Sequence, residues 1–181
     1  MVERIAEIVV LGEDLNQTNF VRRSLIRKGH QPRSIRVNQA MPGRGSAEQY
    51  VRERFPAEVA LYLSRVKKRR SALVAVIDAD TKSTTERDRE IWRALKSAGQ
   101  PARKPTDAIA LFIPKRHIES WILCLTGDKV NETSDYSKRD DIQARIRLAA
   151  EHFFDWSRSG YKTPDCCIPS LHRAFPEFRR I

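Results

Sequence analysis

Only three cysteines occur among the 181 residues, Cys124, Cys166 and Cys167. An odd count in a chain of this size argues against the paired thiols of a secreted disulfide scaffold. Cys166 and Cys167 are adjacent and have no second pair, so even with His172 downstream they lack the spaced pairs of a zinc knuckle. No apolar run approaches the roughly eighteen residues that a membrane-spanning helix needs. Met1-Val2-Glu3-Arg4 leads directly into a short apolar segment, without the pattern of a secretory signal, so a soluble, cytoplasmic chain with no membrane partner is expected. Acidic residues are in short supply, 23 against 34 lysines and arginines, for a formal charge of +11. That balance favours a polyanionic partner such as nucleic acid over an acidic small molecule. Internal repeats and low-complexity tracts are absent.

What the chain does have is Leu73-Val74-Ala75-Val76-Ile77-Asp78-Ala79-Asp80. The apolar, β-branched run predicts a strand buried on both faces, and it stops at two carboxylates spaced i, i+2. In a parallel α/β sheet, ligands bind beyond the carboxyl ends of the strands, and residues i and i+2 of an extended segment share a side. Asp78 and Asp80 can therefore converge on one hard cation; the competing reading has Asp80 cap the next helix.

Around this strand the chain alternates strands with helices. Ile5–Leu11 reads as a first strand ending at Gly12-Glu13-Asp14, followed by a helix with cap candidates at Asn16 to Thr18 and a stop at Gly29. Ser34–Asn38 alternates as a half-exposed strand does. Met41–Ser46 is the most loop-like piece: two of the seven glycines bracket Arg44, either a backbone nest facing a phosphate or an ordinary linker. Ser46 caps the helix that follows, and Pro56 is expected to interrupt or kink it. The helix ends at Lys67-Lys68-Arg69-Arg70, where charge–dipole and nucleic-acid roles compete. A helix from Thr85 to Ala98, a strand from Asp107 to Ile113 stopped by Pro114, and a helix from Ile118 to Leu125 come next. Glu119 lies in the first turn of that last helix. Asp128, Glu132 and Asp135 read as solvated, Ile142 to Phe153 as a structural helix, and the segment from Ser157 as an irregular tail anchored by Phe175 and Phe178. The expected fold class is thus α/β in three Rossmann-like layers. A mostly parallel sheet of about four strands, residues 1–125, carries a helical and irregular extension, residues 126–181, packed on it as a single globular unit.

Three strands then end in acids: Glu13-Asp14, Asp78-x-Asp80, and Glu119 after Pro114. Mg²⁺ or Mn²⁺ is commonly held by two or three carboxylates plus substrate phosphates. With these motifs the chain resembles the Toprim superfamily, shared by topoisomerases, bacterial primases and the overcoming-lysogenization-defect nucleases. Val9-Val10-Leu11-Gly12-Glu13 matches the strand ending in glutamate, and Val76-Ile77-Asp78-Ala79-Asp80 the strand ending in Asp-x-Asp. Ile113 to Trp121 is similar to the proline-then-glutamate-tryptophan segment of small stand-alone Toprim-like proteins, several of them from phage-defence and mobile-element systems. The resemblance covers roughly residues 5 to 125. It implies Glu13 as general acid or base and as a metal ligand, Asp78 and Asp80 as catalytic metal ligands, and Glu119 as a further ligand. The chain departs from the family pattern in having Gly12 before Glu13 and Asp14-Leu15 after it, and Thr81-Lys82-Ser83 where a glycine often follows Asp-x-Asp. The division of roles between Glu13 and Asp14 is therefore open.

Three functions are compatible with these residues. The first is a Mg²⁺- or Mn²⁺-dependent nuclease, DNA ahead of RNA as substrate, with Arg44, Lys82, Lys115 and Arg116 gripping phosphates and His117 orienting one. The second is a non-catalytic subunit that binds nucleic acid or a companion ATPase. The third is a small-molecule phosphatase or phosphotransferase, which predicts a covalent aspartyl phosphate and leaves Glu13 and Glu119 without a clear role.

Overall fold

The computed structural model describes residues 5–181; the segment Met1–Arg4, read above as leading into the first strand, lies outside the described residues. In chain order the elements are β1 (Glu7–Gly12), α1 (Leu15–Arg27), β2 (Ile35–Gln39), α2 (Ala47–Val66), β3 (Ser71–Val76), α3 (Thr84–Ser97), β4 (Ile109–Phe112), α4 (Ile118–Leu125), α5 (Ile142–Ser157) and α6 (Pro169–Arg179). A 3-10 turn over Pro32–Ser34 leads into β2. The four strands form one all-parallel sheet in the order β2-β1-β3-β4.

Alternation along each strand feeds two cores. Ile8, Val10, Val74, Val76, Ala110 and Phe112 pack with α1, α4, α5 and α6 on one face. Val9, Leu11, Leu73, Ala75, Ile109 and Leu111 pack with α2 and α3 on the other. Burial on both faces is why β1, β3 and β4 are apolar at nearly every position, and the result is a three-layer α/β fold. β2 is a half-exposed edge strand, as read in the sequence, but the alternation does not hold: only Ile35 is buried and Val37 is 40% exposed.

Two segments differ from expectation. α2 continues through Pro56 as one element of 20 residues. Val51, Phe55, Val59 and Tyr62 are buried against the sheet, and at about 1.5–3 kcal/mol per buried large side chain their packing outweighs the roughly 3 kcal/mol cost of an interior proline. The tail expected to be irregular contains α6, which starts with Pro169 in its first turn, where no backbone donor is needed, and carries Pro176 inside it. Leu171, Ala174, Phe175 and Phe178 bury its inner face. Phe175 and Phe178 thus anchor the segment as expected, within a helix: both rings lie against Phe153 of α5, at centroid distances of 5.7 and 4.8 Å.

The parallel arrangement sorts charge by pole. Because the basic run after α2 immediately precedes β3, it lies at the strand-entry end, where Arg36, Arg65 and Arg69 surround Glu7. The carboxyl ends of all the strands face the opposite pole. There, α1 leaves β1 toward one face while α3 leaves β3 toward the other. The crevice between the ends of β1 and β3 is therefore a topological switch point, where α/β sheets bind ligands. Among the described residues, no helix is long and apolar enough to cross a membrane.

Candidate functional site

Glu13 follows β1 directly, and its Oε1 accepts the backbone N–H of Asp78 at 2.5 Å. This bond ties the exit of β1 to the exit of β3. Behind Glu13 the chain turns into α1, whose N-cap is Asp14: its carboxylate accepts the Gln17 N–H at 2.9 Å. The cap thus falls at Asp14 rather than within Asn16 to Thr18, because the helix starts one turn closer to the strand than the apolar stripe indicates. Asp14 is occupied with capping, whereas Glu13 faces β3. Gly12 permits this tight exit. A Cβ there would stand 2.7 Å from Thr18 Cγ2.

Beyond β3 the chain stays extended, with Ile77 N–H donating to Phe112 O at 3.1 Å and Ala79 N–H to Pro114 O at 2.8 Å. Asp78 is buried, 6% exposed, and its Oδ1 has no hydrogen-bond partner. Its Oδ2 stands 3.6 Å from His117 Nδ1. Asp80 leaves the strand alternation. It adopts φ +55°, a left-handed conformation that aspartate tolerates better than most residues, and its side chain is exposed. The i, i+2 pair is therefore divided, one carboxylate buried and the other at the surface. Ser83 caps α3 in a reciprocal box with Glu86, so Asp80 is not the cap.

Glu119, 5% exposed, reaches the same crevice from the first turn of α4 and accepts a hydrogen bond from Asn16 Nδ2 at 2.7 Å. Asn16 in turn accepts from Gln143 of α5. The electrostatics reflect this gathering of acids. Burial pushes the Asp78 carboxyl well above its usual range; the imidazole of His117 opposes the shift, and the negative charges of Glu13, Asp14 and Glu119 add to it. Burial likewise raises Glu13, to about 7, with Asp80 and Asp14 contributing against the bond from Asp78 N–H. The Asp78 carboxylate raises His117 above its ordinary value, and Asp135 and Glu119 act in the same direction.

Residues that the sequence reading passed over complete the surroundings. Asp135 is exposed, as the sequence reading has it, and its Oδ1 lies 3.5 Å from His117 Nε2. Its neighbours in the same loop are also engaged: Asp128 pairs with Arg145 at 2.7 Å, and Glu132 accepts the Ser170 N–H at 2.7 Å. Arg87, 3% exposed, donates from Nε to Asp78 O at 3.0 Å and from Nη1 to Glu48 and Glu90. It fixes the backbone of Asp78 from beneath. The only sequence signal for it was an arginine on the inward side of an amphipathic helix, one turn inside the cap.

The four basic residues proposed to grip phosphates are differently placed. Arg44 sits on an exposed loop between Gly43 and Gly45, both at positive φ, and its side chain has no partner among the described residues. Lys82 is paired with Glu90 at 2.9 Å. Lys115 donates to Asp80 O at 3.3 Å and Lys82 O at 2.9 Å, holding the loop after Asp78 against the end of β4. Arg116 donates to Thr133 O at 3.2 Å, toward the loop that carries Asp135.

As to a cation, among the described residues no three His, Cys, Asp or Glu side chains are grouped as a ready-made metal set. The chemistry of the donors nonetheless fits a hard ion of the magnesium type, which is bound through one or two carboxylates, water and substrate oxygen rather than by an all-protein cage. Asp78 offers such an ion one buried, unpartnered carboxylate oxygen, on which the charges of Glu13 and Glu119 act, while Asp80 is turned to the surface. Compared with protein-family models, with curated proteins and with solved structures, the chain matches none.

Proposed function

We propose that this chain is a metal-dependent nucleic-acid phosphodiesterase of the Toprim type, with DNA ahead of RNA as its substrate. The observation that carries the reading is the Asp78 Oδ1, buried and unpartnered at the β1/β3 switch point among further acids. A buried acceptor without a donor is costly unless a ligand supplies the missing contact. Asp78 would hold Mg²⁺ or Mn²⁺ together with Asp80 and Glu119. When bound, such an ion would polarise a phosphate oxygen and acidify a water molecule.

The chain's own residues have the remaining tasks. Glu13, with its pKa near 7, is suited to take a proton from an attacking water or give one to a leaving oxygen at neutral pH. Arg87 and the Asp78 N–H···Glu13 bond hold the two carboxylates in register. Asn16 orients Glu119. His117, placed between Asp78 and Asp135, would carry positive charge beside the phosphate. Arg44 is available for the phosphate backbone as it stands; Lys82, Lys115 and Arg116 would exchange their present partners for it. The charge of +11 supports a nucleic-acid substrate, and the resemblance to small Toprim-like proteins supports a phage-defence or mobile-element setting, with a companion ATPase as a possible partner.

The test is to incubate the purified protein with plasmid, single-stranded DNA and RNA, with Mg²⁺ or Mn²⁺ and with EDTA. Cleavage is expected with the metals, and is expected to be absent with EDTA and in Asp78→Asn and Glu13→Gln. Cleavage equal in the variants would overturn the assignment of the site. Metal-independent binding with no cleavage would replace the nuclease by a binding subunit, and a covalent phosphate on Asp78 from a small phosphate ester would replace it by a phosphatase.

A further inference from the structure

Away from the acidic crevice, a cavity of about 570 Å³ lies between the end of α5, the loop that follows it and α6. Beside the buried Phe175, its walls carry three rings and three arginine side chains: Trp156, Tyr161 and His172, with Arg158, Arg173 and Arg179. None of the described residues lining it is acidic.

The rings are held in place. Trp156 lies parallel to His152, with 5° between the planes and 6.5 Å between centroids, and His152 Nδ1 is 2.6 Å from Leu125 O. His172 stands edge-on to Phe175 at 5.6 Å. Tyr161 is 42% exposed, leaving its ring open at the cavity wall. The cations are only partly used. Arg179 donates from Nη1 to Ser157 O at 2.9 Å, and Arg173 from Nη1 to the Thr84 and Thr85 hydroxyls at 2.8 and 3.2 Å. The Arg158 side chain has no partner among the described residues.

Three like charges around one cavity without a counter-charge favour an anion, and planar guanidinium groups match phosphate oxygens in pairs. A simple anion gains nothing from three aromatic rings, and an apolar ligand gains nothing from three arginines. The combination suits a ligand that has both a flat aromatic face and a phosphate. We propose that this cavity binds a nucleoside phosphate, its base against Trp156, Tyr161 and His172 and its phosphate against Arg158, Arg173 and Arg179. The volume lies within the roughly 300–1,000 Å³ typical of small-molecule sites. Such a unit arrives either as a free nucleotide or as the terminal nucleotide of a single strand. Through Thr84 and Thr85, Arg173 ties the cavity wall to the first turn of α3, just past the Asp80 loop.

Titration calorimetry at low salt tests the assignment, with AMP, adenosine, inorganic phosphate and a 5′-phosphorylated single-stranded oligonucleotide as probes. AMP or the oligonucleotide is expected to bind more tightly than adenosine or phosphate alone. Binding is expected to weaken roughly tenfold or more in Tyr161→Ala and in Arg158→Ala, both surface positions. Asp78→Asn should bind as the unsubstituted protein does, which separates this cavity from the acidic crevice whatever the outcome there. An oligonucleotide that binds more tightly than AMP and displaces it identifies the strand end as the source; AMP binding without competition from the oligonucleotide identifies the free nucleotide. Phosphate binding as tightly as AMP, affinity unchanged in both variants, or no saturable binding of any probe would overturn the proposal.

Discussion

Glu13 and Asp78 are joined by a hydrogen bond from the Asp78 backbone N–H to Glu13 Oε1 at 2.5 Å, so the two acids nearest the switch point are fixed by the backbone of one and the side chain of the other. The Glu13 carboxyl titrates at about 7 in the folded chain against 4.5 as its ordinary value. Between those pH values the folded state binds more protons than the unfolded state. Stability therefore falls as pH rises through that window and is lowest above it. Without divalent cation, Glu13→Gln, which keeps the acceptor for Asp78 N–H, should be more stable than the unsubstituted protein at pH 8 by about 2–3 kcal/mol, and equal to it at pH 4. Thermal melts across pH 4–8 read this directly. A Glu13→Gln melting curve that tracks the unsubstituted one at every pH would show that Glu13 ionises normally.

Divalent cation should reverse the same loss. Binding to the folded state alone stabilises it by mass action, and the carboxylates are the form it binds. At pH 8, millimolar Mn²⁺ is expected to raise the melting temperature by about 3–5 °C, and EDTA to return it. Asp78→Asn, which supplies an amide where the unpartnered Oδ1 stands, should melt higher than the unsubstituted protein without metal and fail to respond to Mn²⁺. A full Mn²⁺ response in Asp78→Asn would place any cation site elsewhere.

Gly12 is required by close approach rather than by backbone conformation. Its added Cβ would meet Thr18 Cγ2 at 2.7 Å, so Gly12→Ala should destabilise by about 1–3 kcal/mol, as overpacking does. Thr18→Ser removes that methyl and keeps the hydroxyl, which lies 3.0 Å from Asp14 O and 2.9 Å from Gln39 Oε1 and can donate to either. The double variant should recover most of the loss in a denaturant titration. Additive losses would mean that the strain lies in the backbone.

What could be read in the sequence and what could not follows from how local each feature is. The runs around Val9 and Val74 announce buried parallel strands because both faces of those strands are covered, and Ser46 and Gly29 mark helix ends through their own local chemistry. α6 was hidden because Pro169 and Pro176 are breakers by propensity, while the burial that overrides them comes from α5 and β4. The acids at the strand ends were visible as a pattern, since parallel strands must deliver their carboxyl ends to one pole. Their separate states were not: Asp14 as cap, Asp78 buried and Asp80 turned outward depend on where α1 and α3 begin. Lys82 and Lys115 are near the site in sequence yet paired, and Arg87 and Asn16 contact its acids from helix faces that only tertiary packing brings there.

Arg87 is the clearest case of such support. Buried with its guanidinium shared between the Asp78 carbonyl, Glu48 and Glu90, it cannot be replaced by lysine without losing the fork that serves three acceptors. Arg87→Ala leaves the buried Asp78 carbonyl without its donor and takes the buried cation from Glu48 and Glu90, which keep Arg52 and Lys82 as partners, and a loss of about 1–3 kcal/mol is expected from denaturant unfolding. Arg87→Lys should retain part of the stability while lowering any metal-dependent cleavage as strongly as Arg87→Ala, because the position of Asp78 depends on the bond to its carbonyl. Cleavage that follows stability in both variants would reduce Arg87 to a fold-supporting role.

At the far edge of the sheet, β4 has no strand on its outer side among the described residues, and an open edge is a template for pairing with another chain. Two side chains close it. Arg103 Nη1 donates to Ile109 O at 2.9 Å, Glu177 Oε2 accepts the Leu111 N–H at 2.9 Å, and the two side chains are paired with each other. The ion pair thus substitutes for a fifth strand at two outward-facing groups of β4, the Ile109 carbonyl and the Leu111 N–H. Glu177→Ala should both destabilise the fold, by about 1–3 kcal/mol, and produce concentration-dependent self-association in light scattering. Glu177→Gln keeps an acceptor for Leu111 and gives up only the charge, so it should stay monodisperse under conditions where Glu177→Ala associates. Association of both variants to the same degree would assign the effect to the lost ion pair with Arg103 rather than to the exposed strand edge.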